Sequence, residues 1–256
     1  MIIAVFNPKG GVGKTTTAVN LATVLADAGR SVLIVDLEAD MNASISLGVR
    51  PADVRPSMSE VLLHERRPAE AVRSVTGIPN LSLITGSPAL VEIDVALRHV
   101  RQPERRLADV IRPLVPDFDV IVLDSPAGYS VLNLGVPIAA EQLIVPVRAE
   151  YLPLESLAHF LRWYRDRSAS RKAVAHVAGI LLTMVDGRRQ ATREIVHIIR
   201  AHNRRGVFRT EIPEDPRAAE APSHGIPLVL YARSKAAVAY RQFSAEVLKR
   251  LDRRAR

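Results

Sequence analysis

Six short apolar runs set the frame for this chain: IIAVF (2–6), SVLIVD (31–36), LSLIT (81–85), DVIVLD (119–124), QLIVPV (142–147) and VAGILLTMV (177–185). Each is rich in Val and Ile and nearly continuous rather than alternating, which is how strands buried on both faces read. Between them lie amphipathic stretches with helical spacing at 15–28, 90–112, 153–167 and 190–203. Strands alternating with helices predict an α/β fold, a mostly parallel twisted sheet with helices on both faces. Right-handed crossovers follow from chain chirality. With 256 residues, 48% of them hydrophobic, the chain can bury a sizeable core. No internal repeat or low-complexity linker divides it, so a single domain over 1–256 is expected. The stretch 48–80, with Pro51, Pro56, Pro68 and Pro79, is the least regular and should hold short helices and loops.

Composition narrows the chemistry. There is no cysteine, which excludes disulfides, thiolate metal sites and iron–sulfur clusters. No apolar run approaches the roughly 18 residues of a membrane span. The opening MIIAVFN lacks the basic segment of a targeting signal, so a cytoplasmic protein is expected. The net charge of +8 is unevenly spread: residues 1–150 hold 14 Lys+Arg against 17 Asp+Glu, and residues 151–256 hold 21 against 10. A positive C-terminal part suggests a polyanion partner, nucleic acid or an anionic membrane, with an arginine-rich solvated surface as the plainer alternative.

The stretch NPKGGVGKTTTAVNLA (7–22) carries the most chemistry. A buried strand feeds a turn with Gly10, Gly11 and Gly13, and a helix begins near Lys14. Such glycines let backbone N–H groups curl around phosphate oxygens, and the helix N-terminus adds its positive end. Lys14 would pair with β- and γ-phosphates, and Thr15 would offer its hydroxyl to Mg²⁺. The usual phosphate-loop pattern opens with glycine five residues before the closing one; here that position is Pro8.

The string KGGVGKTTT resembles the deviant Walker A motif of the ParA/MinD superfamily of P-loop ATPases. The resemblance runs from residue 2 to about 251 and is closest to the short partition ATPases. It implies ATP and Mg²⁺ as cofactors, with Lys9, Gly10, Gly11, Val12, Gly13, Lys14, Thr15 and Thr16 around the phosphates. It also implies that Lys9 reaches across a homodimer to the nucleotide of the other subunit, acting much as an arginine finger does. VDLEADMNAS (35–44) resembles the family's first switch. Asp36 then lies near the Mg²⁺ shell, and Glu38 takes the place of the water-orienting aspartate, with Asp40 nearby to share the role. The extra methylene moves that carboxylate by about 1.5 Å, so slow hydrolysis is expected. FDVIVLDSPAG (118–128) resembles the Walker B strand, with Asp124 holding Mg²⁺ through a water. Met184 to Asp186 and Pro213 are implied beside the base.

Arginines crowd residues 188–209: Arg188, Arg189, Arg193, Arg200, Arg204, Arg205 and Arg209. Arg189, Arg193 and Arg200 are spaced along one helical face, which reads as a solvated face or as a phosphate-binding one. The resemblance places non-specific DNA binding on Arg188, Arg217 and Lys235, joined here by Arg189 and Arg193. Glu214 and Asp215, where the family often has Arg-Asn, are expected to weaken Arg217 locally.

The resemblance as a whole implies a partition ATPase, cytoplasmic and associated with the nucleoid. Its ATP-bound homodimer would bind non-specific double-stranded DNA, and a ParB-like partner would stimulate hydrolysis and release it. Sequence-specific operator binding is not expected, because no helix-turn-helix precedes the first strand. Two alternatives share the loop. One is a slow-hydrolysing, ATP-locked scaffold that positions a cargo. The other is a MinD-like membrane-cycling ATPase using the basic tail AYRQFSAEVLKRLDRRAR, although the tail's apolar stripe is expected to pack on the body instead.

Overall fold

The computed structural model describes residues 1–150, Arg162, Tyr164, Asp166, 175–203 and 206–252. Most of the predicted helix 153–167, together with Arg204 and Arg205, lies outside the described residues. In chain order the strands are β1 (Ile2–Val5), β2 (Val32–Asp36), β3 (Arg73–Ser74), β4 (Leu81–Ile84), β5 (Val120–Asp124), β6 (Gln142–Arg148), β7 (His176–Val185) and β8 (Val207–Pro213). They form one sheet in the order β3-β4-β2-β5-β1-β6-β7-β8. Every described pairing is parallel except the two-residue edge strand β3, which runs antiparallel to β4. The predicted α/β sheet is thus present.

The helices are α1 (Lys14–Asp27), α2 (Asn42–Ser46), α3 (Met58–Leu62), α4 (Leu90–Leu97), α5 (Arg106–Ile111), α6 (Val131–Ala139), α7 (Gln190–His202), α8 (Arg217–Glu220), α9 (Leu228–Tyr231) and α10 (Lys235–Asp252). Alternate residues of each central strand feed two separate cores. Ile2 and Ala4 of β1 join Leu33, Leu123, Ile93, Val136 and Ile195 on one face. Ile3 and Val5 join Ile34, Val122, Leu21, Leu25 and Phe243 on the other. That is why the strands read as continuous apolar runs.

Three features differ from the sequence reading. The amphipathic stretch 90–112 is not one helix: α4 ends at Leu97, a 3-10 turn at Pro103–Arg105 follows, and α5 begins at Arg106. Gln102 takes a left-handed backbone there and Pro103 cannot donate to a preceding turn. Strand β8 has no counterpart among the six apolar runs, because VFRTEIP carries Arg209, Thr210 and Glu211 in the open outer position. Arg200 does not extend a free basic face with Arg189 and Arg193. Its guanidinium donates to Glu211 (2.7 Å) and to the carbonyls of Phe208 and Arg209 (3.1 and 3.2 Å).

The basic C-terminal helix is built into the body. Tyr240, Phe243 and Val247 of α10 are buried. Arg250 lies over the Phe208 ring, 4.1 Å from its centroid, and donates to the carbonyls of Ala178 (3.0 Å) and Val207 (2.7 Å). A Cβ on Gly179 would stand 2.7 Å from that guanidinium and 2.8 Å from the Phe208 ring, so a side chain there would push both aside. No helix among the described residues is long and apolar enough to cross a membrane.

Candidate active site

The carboxyl ends of β1, β2 and β5 meet in register, with Val5 opposite Asp124 and Asp36 opposite Asp124. Ligands in open α/β sheets sit at such an edge. The glycine loop leaves β1 here and turns into α1 through Gly11 (φ 70°) and Gly13 (φ 82°). Neither backbone conformation suits a residue with a Cβ. No side chain caps α1, so its first N–H groups face the loop. The loop is tied to the sheet from several sides. Asn7 donates to the Pro146 carbonyl (2.8 Å) and accepts from Lys9 N–H (2.9 Å), Gly128 N–H donates to the Pro8 carbonyl (2.7 Å), and the Thr183 hydroxyl donates to the Val12 carbonyl (3.0 Å).

Lys14 is only 6% exposed. Its ammonium donates to the Lys9 carbonyl at 3.2 Å. Burial lowers its pKa, and the charges of Glu38 and Asp124 work against that lowering. The Lys9 side chain is half-buried and holds no hydrogen bond or ion pair among the described residues.

Asp36 and Asp124 differ in what satisfies them. Asp36 accepts from the Ser44 N–H (2.9 Å), the Ser44 hydroxyl (2.7 Å) and the Glu38 N–H (3.1 Å). Asp124 is fully buried, and neither carboxylate oxygen accepts a well-formed hydrogen bond, although the Thr15 hydroxyl is close enough to favour its charged form. Burial and then the Asp36 charge push its pKa well up, while the Thr15 hydroxyl and Lys14 pull the other way. An orphaned buried carboxylate next to a threonine hydroxyl and a lysine is what a hydrated cation would satisfy. Among the described residues no three acidic or histidine side chains form a metal cage. Mg²⁺ does not need one, because it takes one or two carboxylates and completes its shell with waters and substrate phosphates.

Glu38 points its carboxylate to the Asn42 side chain (3.2 Å), and Asp40 is exposed to solvent. The turn beneath Glu38 is locked from a side the sequence does not reveal. Gly86, just past β4, donates its N–H to the Ser44 hydroxyl (3.2 Å). A Cβ there would lie 2.4 Å from the Glu38 carbonyl and 3.0 Å from the Asp36 carboxyl carbon. Ser44 is legible in the NAS of the switch-like segment, but Gly86 carries no local signal, since its contacts come from another strand.

Beyond Gly13 and Thr16 opens a cavity of about 940 Å³, lined by Met184, Asp186, Pro213, Lys235 and Tyr240 among others. Met184 holds a left-handed backbone (φ 52°), unusual for a residue with a side chain. The Tyr240 hydroxyl lies 3.3 Å from Thr17 of α1, and burial pushes its pKa up to about 12. Three of the proposed DNA residues, Arg188, Arg189 and Lys235, lie on this cavity's rim. Arg188 and Arg189 both pair with Asp186, whose pKa the Arg188 hydrogen bonds draw down to about 2. Arg193 donates to the carbonyls of Gly187 and Arg188 (2.9 and 3.0 Å). Arg217 opens α8 and is exposed, its N–H donating to Asp215 (3.0 Å). Burial pushes Asp215 up, but the Ser234 hydroxyl and the Arg217 and Ala236 N–H groups outweigh it and hold its carboxyl below the usual value, so it does more than oppose Arg217. Glu214 instead acts on Arg188.

Comparison with known proteins gives the same outline. An AAA domain family model matches residues 1–173. The chromosome-partitioning ATPase Soj of Thermus thermophilus is 38% identical over 251 residues, covering 98% of this chain and 96% of that one. The sporulation initiation inhibitor protein Soj of Bacillus subtilis is 34% identical over 247 residues, covering 96% and 97%. Among solved structures, cobyrinic acid a,c-diamide synthase from Mycobacterium smegmatis, with bound ATP analog and magnesium, superposes with a TM-score of 0.83 at 29% identity. It covers 98% of this chain and 95% of that one.

Proposed function

The chain belongs to the ParA/Soj family of chromosome-partitioning ATPases, and from that premise we propose a cycle in which an ATP-bound dimer holds non-specific DNA until hydrolysis releases it. The orphaned carboxylate of Asp124 beside Thr15 and Lys14 carries the catalytic half of this reading. Thr15 and Asp124 would hold Mg²⁺, which when bound neutralises charge on the phosphates and the transferring phosphoryl group. Asp36 would act at the edge of the same shell. The Gly10–Thr16 backbone, including Val12 and Thr16, would wrap the phosphates. Lys14 would exchange the Lys9 carbonyl for phosphate oxygens, and Met184, Asp186 and Pro213 would flank the base and ribose.

Glu38 would orient the attacking water. Its contact with Asn42 favours slow hydrolysis, because the carboxylate must leave that amide to act. Lys9, with its ammonium unheld, would serve the partner subunit's nucleotide. Arg188, Arg189, Arg193, Arg217 and Lys235 would contact DNA phosphates without reading bases, so affinity should fall steeply with salt. A ParB-like protein would stimulate hydrolysis, and the protein would act in the cytoplasm on the nucleoid. Insertion of the C-terminal helix into a membrane is disfavoured by the burial of its apolar face.

Binding of non-specific duplex DNA, measured with ATP, ADP or no nucleotide, tests the proposal. The comparison is between the native chain and the Arg188→Ala plus Arg217→Ala variant, with dimerisation followed in the same samples. ATP-dependent binding that disappears in the variant while dimers persist is the expected result. Dimers that form with ATP and ignore DNA would overturn it.

A further inference from the structure

The two arginines nearest the cavity are already taken. Arg188 grips Asp186 with both edges of its fork, Nε to Oδ1 at 2.9 Å and Nη2 to Oδ2 at 3.1 Å. Its own N–H adds a third bond to Oδ1 (3.1 Å), and Arg189 Nε lies 3.2 Å from Oδ2. Glu214, on the same cavity, adds its field at Arg188. One carboxylate therefore occupies the N–H groups and offsets the charge of two rim cations.

A planar fork that fits a carboxylate fits two phosphate oxygens equally well. Asp186 and a polyanion thus compete for the same donors, and Arg188 cannot serve both. Its side chain is 91% exposed, and an ion pair this open to water is held weakly. The carboxylate of Asp186, by contrast, is only 10% exposed and lines the cavity that begins at Gly13 and Thr16. A nucleotide with its phosphates on the glycine loop would bring ribose hydroxyls or a base amino group into this cavity, and all of these are donors that a carboxylate accepts.

We propose that Asp186 is a nucleotide-sensitive gate on the polyanion surface. A donor from the bound nucleotide takes over Asp186, and Arg188 and Arg189 are released to phosphates of the nucleic acid. The gate rests on the DNA-binding function proposed for this chain and adds to it the step that couples the two ligands. It differs from coupling through dimerisation alone, because it acts within one subunit.

Asp186→Asn keeps an acceptor for the Arg188 N–H but removes the charge that holds the guanidinium groups. Binding to a fluorescent non-specific duplex is measured without nucleotide and with ATP over a range of salt, with light scattering reporting monomer and dimer. Without nucleotide the variant is expected to bind several-fold more tightly than the native monomer. Its log affinity should fall more steeply with log salt, by about 0.9 for each further phosphate that the freed arginines neutralise. The rise in affinity on adding ATP should shrink relative to the native chain. Arg188→Lys, which keeps the charge and loses the fork, should shrink that rise as well and serves if the asparagine variant does not fold. If native protein binds DNA with ATP while both variants keep the full native response to ATP, the gate is overturned and the DNA-binding function stands. If no protein binds DNA under any condition, both fall.

Discussion

At the carboxyl ends of β1, β2 and β5 the charged groups are buried, and strand register fixes which carboxylate faces which. Around the cavity mouth the cations stand on turns and helix starts, in contact with water. At the first place hydrogen bonding separates two roles: Asp36 and Asp124 are neighbours on paired strands, yet Asp36 accepts three well-formed hydrogen bonds and neither carboxylate oxygen of Asp124 accepts one. At the second, the cations stand in water, and Arg188 and Arg189 are defined by the acid they share. Chemistry that must be placed to a fraction of an ångström belongs in the buried part. Contacts that must form and dissolve in a cycle belong on the rim.

The sharpest way to break this contrast is to neutralise each aspartate in turn. Asp124→Asn should weaken Mg²⁺ binding by about 10- to 100-fold while changing the stability of the metal-free fold little, since relief of a buried carboxylate offsets the loss of its attraction to Lys14. Asp36→Asn should instead destabilise the fold by about 1–3 kcal/mol through the Ser44 and Glu38 bonds. Metal titration and thermal unfolding of both variants check this, and equal behaviour would erase the distinction. A smaller effect is expected at Glu38. Glu38→Asp, a shorter arm on the same locked turn, should raise kcat by about tenfold, read from steady-state phosphate release with KM for ATP unchanged. A lower kcat would mean that the longer side chain is the one the turn is built for.

The smallest effect lies where α10 meets β8. Burial pushes Glu246 up, but donors from Arg209, Thr210 and Arg250 outweigh it and hold its carboxyl below the usual value of 4.5. A depressed acid contributes its full stabilisation above the unfolded pKa and loses it as pH falls through the folded one. Glu246→Gln should therefore cost about 1 kcal/mol near neutral pH and flatten the acid limb below about pH 4.5, seen by urea unfolding across pH.

Much of the buried part is legible in the chain. VLIVD and VIVLD end in aspartates at the edge where ligands bind, and the glycine loop announces its own turn. The register that pairs Asp36 with Asp124 is not among the legible features, because β2 and β5 are neighbours only in the folded sheet. What the sequence hides depends on contacts between distant segments. Gly86 matters only because β4 ends beside the Glu38 turn, and nothing in LSLITGS marks it. Arg200 reads as a member of a basic stripe by its spacing, but the fold brings Glu211 of β8 within 2.7 Å of it. Strand β8 itself is concealed by polar residues that an edge tolerates and a central strand would not.

The bond from Lys14 to the Lys9 carbonyl has a consequence for the entropy of binding. A glycine-rich turn should be costly to order, since its residues have the most conformational freedom to lose. Here the lysine already bonds across the loop to the Lys9 carbonyl, so part of that cost is met during folding. If Lys14 turns to a phosphate, the peptide it releases is that of Lys9, and the freedom regained falls on the lysine proposed to serve the partner subunit's nucleotide.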